Sequence, residues 1–246
     1  MNRTEALSRI KDNLNRLEAR IQAACQRVGR NRSDVLLVAV TKYVSPETAS
    51  LLLDLGIRDL GESRPQELWH KAAALPKDTR WHMIGHLQRN KIERTLPLVT
   101  LIHSVDSERL LAALSKESER IGRPTNVLLE VNLSREPNKT GFAANSVPLS
   151  QPAEAWPFPG VNPLGLMTMA AATDEPEKAR ATFAELRGLR DRIRAMATGV
   201  RSSFRELSMG MTHDFEVAIE EGATMVRIGS ALFEGLIEEE SEPSPP

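Results

Sequence analysis

VLLVAVTK, residues 35–42, sets six apolar side chains in a row before Thr41 and Lys42. A short run with no polar alternation fits a parallel strand covered on both faces. Ser45-Pro46 follow as the N-cap and first residue of a helix, which Gly56 closes. The same alternation continues along the chain. Further strand candidates are Ile57–Leu60, Trp81–Ile84, Thr100–His103, Val127–Leu133, Leu164–Thr168, Glu206–Met209 and Met225–Ile228. Helical stretches separate most of them. The clearest is Pro176–Ala197, opened by Asp174 with Glu177 three residues later, close to a capping box. A shorter helix is capped by Asp214 and ends at Gly222. Eight strand–helix units result. An open doubly wound sheet shares this alternation. A closed α/β barrel of the (β/α)8 TIM type is preferred, because eight units match its period and no dinucleotide-binding glycine fingerprint follows the first strand.

Upstream of the units, residues 3–28 read as one amphipathic helix, additional to the barrel. Leu7, Ile10, Leu14, Leu17, Ile21, Ala24 and Val28 recur at spacings of three and four, and Gly29 supplies a left-handed stop. The seam is long enough for a coiled coil, although packing on its own domain is the preferred use. Pro137, Pro148, Pro152, Pro157, Pro159 and Pro163 make the connection after the fifth strand long and only partly helical. EEESEPSPP, residues 238–246, is too polar and proline-rich to fold. The expected organisation is one domain, 1–237, followed by a disordered tail, 238–246.

Composition narrows the function classes. Of 246 residues, 41% are hydrophobic and 26% charged, ordinary values for one large core. A net charge of −1, with acids and bases interspersed, offers no basic stripe for nucleic acid or a membrane surface. No apolar run approaches the roughly 20 residues of a membrane span. MNRTEALSRIKDNLNRLEAR at the N-terminus lacks an apolar export segment, so a cytoplasmic location is expected. Cys25, the only cysteine, allows neither an intramolecular disulfide nor a cysteine metal cluster, and reads as a small apolar helix residue.

Reactive groups of such barrels sit at the C-terminal ends of strands. Lys42 stands there, just beyond the apolar run. Partial desolvation would favour the neutral amine that imine formation needs; a lysine snorkelling outward is the plainer reading. Arg227, within Met-Val-Arg-Ile-Gly, puts a charge in a buried strand and needs a partner, either an ion pair with a neighbouring strand or a ligand. Ser208-Met209-Gly210 follow the seventh strand. Gly229-Ser230 follow the eighth and open a last helix. Barrels place phosphates between these two loops, although the glycines equally serve turns. His70, His82, His86, His103 and His213 show no metal-binding spacing, and His82 and His103 read as core or barrel-mouth residues. Glu62 and Glu67 flank a strand-to-helix turn, as capping carboxylates or as acids.

Taken in order, Ala39-Val-Thr-Lys42, Gly61-Glu62, Gln66-Glu67, WHMIGHLQRNK at 81–91, His103-Ser-Val-Asp106, Val131-Asn132, Lys139-Thr-Gly141, Gly165-Leu-Met167, Leu207-Ser-Met-Gly-Met211 and VRIGSALF at 226–233 span nearly the whole chain. They resemble the pyridoxal phosphate homeostasis proteins, barrels related to the N-terminal domain of alanine racemase. The resemblance implies a fold type III barrel that binds pyridoxal 5′-phosphate (PLP) as a Schiff base on Lys42. It implies a phosphate held by Ser208, Gly229 and Ser230, with Met209 and Gly210 in the same loop. It also implies that Arg227 meets the pyridine nitrogen. Ser63, His86 and Arg89 depart from the family pattern, in which Asn, Pro and a small polar residue are usual; all three lie near the barrel mouth.

Holding the cofactor is expected ahead of turnover. An arginine cannot release a proton to the ring nitrogen, so the ring stays a poor electron sink. A racemase also needs a second base opposite Lys42. Tyr43, the only tyrosine, adjoins the lysine and is expected to point away, leaving His82 and His86 as substitutes. A reservoir or carrier is the first reading, an amino-acid racemase the second and a Schiff-base aldolase the third. The expected partners are PLP and PLP-dependent apoenzymes, with the chain a monomer or weak dimer. Lys139, in the proline-rich connection, is a candidate transient acceptor.

Overall fold

The computed structural model describes residues 1–133, 140–149, 156–171, 173–196 and 203–236. The helix α1 (Arg3–Arg27) leads into β1 (Leu36–Val40), α2 (Pro46–Asp54), β2 (Asp59–Glu62), α3 (Pro65–Ala74) and β3 (Arg80–Met83). Then come α4 (Ile92–Thr95), β4 (Val99–Val105), α5 (Glu108–Arg120), β5 (Thr125–Glu130) and β6 (Val161–Met167). The chain finishes with α6 (Arg180–Ala195), β7 (Glu206–Ser208), α7 (Phe215–Glu220) and β8 (Met225–Ile228). The eight strands close in sequence order, every pair parallel. This is the expected barrel. No helix among the described residues is long and apolar enough to cross a membrane.

Several local expectations differ. β2 starts at Asp59 rather than Ile57 and extends to Glu62, so both carboxylates lie within the strand. Asp174 does not cap the sixth helix; a 3₁₀ turn at Pro176–Ala179 leads into α6 instead. The Asp214 side chain accepts from the backbone of Met211, 2.6 Å away, and not from α7. The described residues between β5 and β6 form no helix, and Val131 bridges to Phe142 there.

Among the described residues no helix follows β8. Residues 230–236 form turns. The Asn13 side chain on α1, buried, donates to the carbonyls of Leu232 and Glu234, each at 3.0 Å. Gly235, with φ +76°, turns the chain out of a helical path there. α1 packs against α7 on one side and α2 on the other. That is the position the helix after β8 would take, so α1 completes the outer ring. Its stripe of Ile10, Leu14, Leu17, Ile21, Ala24 and Cys25 is buried on its own domain, while Val28 is exposed.

Inside the barrel, Leu101, Leu128, Met167 and Met225 form a small apolar plug separate from the main core. Layers of branched apolar side chains usually fill such an interior. Here much of it is polar: Asp59, His82, His103, Ser208 and Arg227 are all buried.

Candidate functional site

Barrel closure joins the two ends of the fold. β8 pairs with β1, Arg227 beside Val38 and Ile228 beside Ala39. Lys42 and Gly229-Ser230 therefore leave neighbouring strands at the same rim. The approach is tight, since a Cβ on Gly229 would stand 3.1 Å from the Val40 carbonyl oxygen. A side chain at 229 would press on β1, so glycine eases this strand packing.

Lys42 is exposed, contrary to the partial desolvation expected of it. The chain turns directly after β1, with Val44 N–H donating to the Thr41 carbonyl at 3.1 Å. This lifts Lys42 out of the barrel, its Nζ 4.5 Å from the centroid of the Tyr43 ring. Tyr43 accordingly accompanies the lysine instead of pointing away from it.

Behind Lys42, Thr41 is held at both its backbone and its side chain. Lys71 Nζ donates to the Thr41 carbonyl at 2.7 Å and to Glu62 Oε1 at 2.5 Å. The Thr41 hydroxyl donates to the same carboxylate oxygen at 2.6 Å. Lys71 and Glu62 are 1% and 0% exposed. Glu62 is therefore an ion-pair partner rather than a cap, and Lys71, unremarked in the sequence, is its cation. Glu67 lies in the first turn of α3.

Arg227 is buried without an ion pair among the described residues. Its Nη1 donates to Ser208 Oγ at 2.6 Å and its Nη2 to the Thr168 carbonyl at 3.0 Å. Burial pushes its pKa down to about 10, against the upward pull of Asp214 and Glu130. It remains a cation at neutral pH. The Ser208 hydroxyl also meets His103 Nδ1 at 2.8 Å, so it faces the interior. His103 Nε2 is 2.9 Å from His82 Nδ1, and His82 Nε2 is 3.0 Å from Asp59 Oδ1. With both ring nitrogens engaged, His82 is an interior residue and not a substitute base at the mouth. His86 is at the rim, exposed, with Nδ1 3.1 Å from Asp106 Oδ2.

The loops after β7 and β8 meet through two hydroxyls, Ser230 Oγ and Thr212 Oγ1, 2.9 Å apart and exposed. Thr212 escaped the sequence reading although it stands one residue past the quoted Leu207–Met211 stretch. Gly210 has φ +91°, and a Cβ there would lie 2.5 Å from that of Ala218. Glu130 was also missed. It is buried at the end of β5, its pKa pushed up by burial, and accepts from the Thr140 hydroxyl at 2.9 Å. Lys139 lies outside the described residues.

This fold and rim belong to a known class: residues 12–236 match the family described as alanine racemase, N-terminal domain. Within it, the chain is 40% identical over 235 residues to the pyridoxal phosphate homeostasis protein of Aquifex aeolicus, covering 95% of this chain and 98% of the other. The protein of that name from Pseudomonas aeruginosa is 36% identical over 228 residues, covering 92% and 96%. The chain belongs to the pyridoxal phosphate homeostasis protein family. Among solved structures, a protein of unknown function from Bifidobacterium adolescentis superposes with TM-score 0.86 at 36% identity, covering 95% and 97% of the two chains. PipY of Synechococcus elongatus, solved with PLP bound, gives TM-score 0.72 at 33% identity, covering 81% and 92%.

Proposed function

We propose that this chain binds pyridoxal 5′-phosphate at the C-terminal mouth of the barrel and serves cytoplasmic PLP homeostasis as a reservoir or carrier. The carrying observation is the juxtaposition made by the β8–β1 closure. An exposed lysine, a buried cation with no carboxylate against it and a pair of rim hydroxyls lie together there. These match the three polar groups of the cofactor: aldehyde, ring nitrogen and phosphate.

When bound, the cofactor supplies an aldehyde that condenses reversibly with an amine, losing water. Lys42 offers that amine, and its exposure leaves the linkage open to water and to other amines. Arg227 donates toward the ring nitrogen and cannot protonate it. The hydroxyls of Ser230 and Thr212, with the loop backbone around Met209-Gly210 and Gly229-Ser230, hold the phosphate. Ser208 stands behind them, its hydroxyl on Arg227. Residues 1–237 form the binding unit, α1 included, and PLP-dependent apoenzymes are the recipients. A carrier is favoured over a racemase because His82 is locked in the interior and Tyr43 sits on the Lys42 side, which leaves His86, exposed at the rim beside Asp106, as the one substitute base the deuteration test must clear.

Protein loaded with PLP should show a visible band that borohydride bleaches, and Lys42→Ala should lose it. A reducible adduct retained in the barrel of that variant would move the linkage to another lysine. Loaded protein should activate a PLP-requiring apoenzyme without α-deuterating L- or D-amino acids in deuterated water. Rapid α-deuteration would replace the carrier by a racemase.

A further inference from the structure

Five side chains from five strands form one hydrogen-bonded line through the barrel. Asp59 is the first residue of β2, His82 lies on β3, His103 on β4, Ser208 ends β7 and Arg227 lies on β8. Successive contacts measure 3.0, 2.9, 2.8 and 2.6 Å. All five residues are buried. Buried polar atoms must pair, so the direction of each bond can be worked out.

Asp59 also receives Arg80 Nε at 2.8 Å and Nη2 at 2.5 Å, which keep it ionised and accepting only. His82 Nε2–H therefore donates to it. Burial, reinforced by the Arg227 charge, holds the His103 pKa well below the ordinary imidazole value, so that ring has one N–H and one lone pair. In the direction that gives every proton an acceptor, His82 Nδ1 accepts from His103 Nε2–H. His103 Nδ1 then accepts from the Ser208 hydroxyl, whose oxygen accepts from Arg227. Every proton has one acceptor. The reverse direction needs a cationic His82 and places two donors on the serine oxygen, leaving the hydroxyl proton without an acceptor among the described residues.

We propose that Asp59, His82 and His103 are positioning residues that fix the Ser208 hydroxyl and, through it, aim the Arg227 guanidinium at the cofactor ring. Without His103 as acceptor, the serine proton is free to turn toward Arg227, and two donors would then face each other. The role rests on the proposed contact between Arg227 and the ring. The line starts at the barrel end opposite the Lys42 rim, at Asp59, outside every motif of the mouth.

Imidazole nitrogen NMR of the full chain should find both rings neutral, each with its proton on Nε2. A proton on Nδ1 of either ring overturns the line. His103→Phe should weaken PLP binding about tenfold and move the visible band in the same sense as Arg227→Gln. In the Arg227→Gln background the same change should add less than about twofold, because coupled residues are non-additive. Additive losses would assign His103 to general stability and overturn the proposal. Asp59→Asn keeps an acceptor for His82 and should bind PLP as wild type does, whereas Asp59→Leu should follow His103→Phe. Equal effects of the two would also overturn it, and this pair carries the test if His103→Phe fails to fold. A wild-type protein that does not bind PLP at all would overturn the functional reading and this role together. Wrong tautomers with normal binding would overturn this role alone.

Discussion

Among the described residues, two lysine or arginine cations are buried, and they are buried differently. Lys71, on α3, has the Glu62 carboxylate at 2.5 Å and the Thr41 carbonyl at 2.7 Å. Arg227, on β8, has among the described residues a hydroxyl and a backbone carbonyl as partners. A buried charge is tolerated when paired and expensive when not. Lys71 is electrically complete, and its effect is to clamp the residue that precedes Lys42. Arg227 is incomplete. Its nearest opposing charges, Glu130 and Asp214, act on it only at longer range. Fold stability explains the first cation; a ligand explains the second.

Removing one partner of the complete pair should have the largest effect. Lys71→Met leaves the Glu62 carboxylate buried and uncompensated, and should lower unfolding free energy by about 3–5 kcal/mol in denaturant titration. Glu62→Leu with Lys71→Met should recover much of that loss, since two apolar residues leave no orphan charge. A double variant as unstable as the single would mean that the pair contributes more than mutual neutralisation.

Arg227→Gln should reverse the pattern, with a smaller stability loss and a clear binding loss. A charge-assisted hydrogen bond is worth about 1.5–3 kcal/mol, so PLP should bind roughly ten- to a hundredfold more weakly, with an altered visible spectrum. Unchanged affinity and spectrum would make Arg227 structural and dissolve the contrast with Lys71.

The contrast extends to hydroxyls. Ser208 is engaged on both sides in the interior, whereas Ser230 and Thr212 meet each other at the exposed rim. Ser230→Ala with Thr212→Val should weaken PLP binding about tenfold and leave unphosphorylated pyridoxal unaffected, consistent with about 1–1.5 kcal/mol for the hydrogen bonds lost. An equal loss for both ligands would take the phosphate away from these hydroxyls.

What the sequence made legible follows from what local pattern can encode. The run Val35–Val40 and its later counterparts marked the strands, because burial on both faces leaves an apolar signature in consecutive residues. Lys42 and Arg227 stood out for a related reason, as charges at or inside such runs. Lys71 and Asp59 did not. Lys71 looks like any helix lysine until α3 packs it behind Thr41, and Asp59 reads as one polar residue of the short strand Ile57–Leu60 until barrel curvature sets it beside His82 and Arg80. The turns after β8 were equally invisible, since Asn13 reaches the carbonyls of Leu232 and Glu234 only once α1 has docked there. Partnerships between strands are set by closure, and no local pattern records them.

Asp59 should give the smallest effect and the sharpest dependence on pH. Burial raises its pKa, but hydrogen bonds from Arg80 and His82, with the charge of Arg80, outweigh that and hold it at about 2, below the ordinary 3.8. A carboxylate depressed in the folded state contributes stability that is fully present above its unfolded pKa and is lost as pH falls through the folded one. The contribution should therefore be constant at neutral pH, begin to fade near pH 4 and disappear toward pH 2. Arg80 is half-exposed, so solvent screening keeps the neutral-pH gap between wild type and Asp59→Asn at about 1 kcal/mol. Denaturant midpoints of the two proteins should converge as the solution is acidified from pH 5 to pH 2. A gap for Asp59→Asn that stays constant across the acid range would mean that the fold does not favour the Asp59 charge, and the line to Arg227 would lose its anionic end.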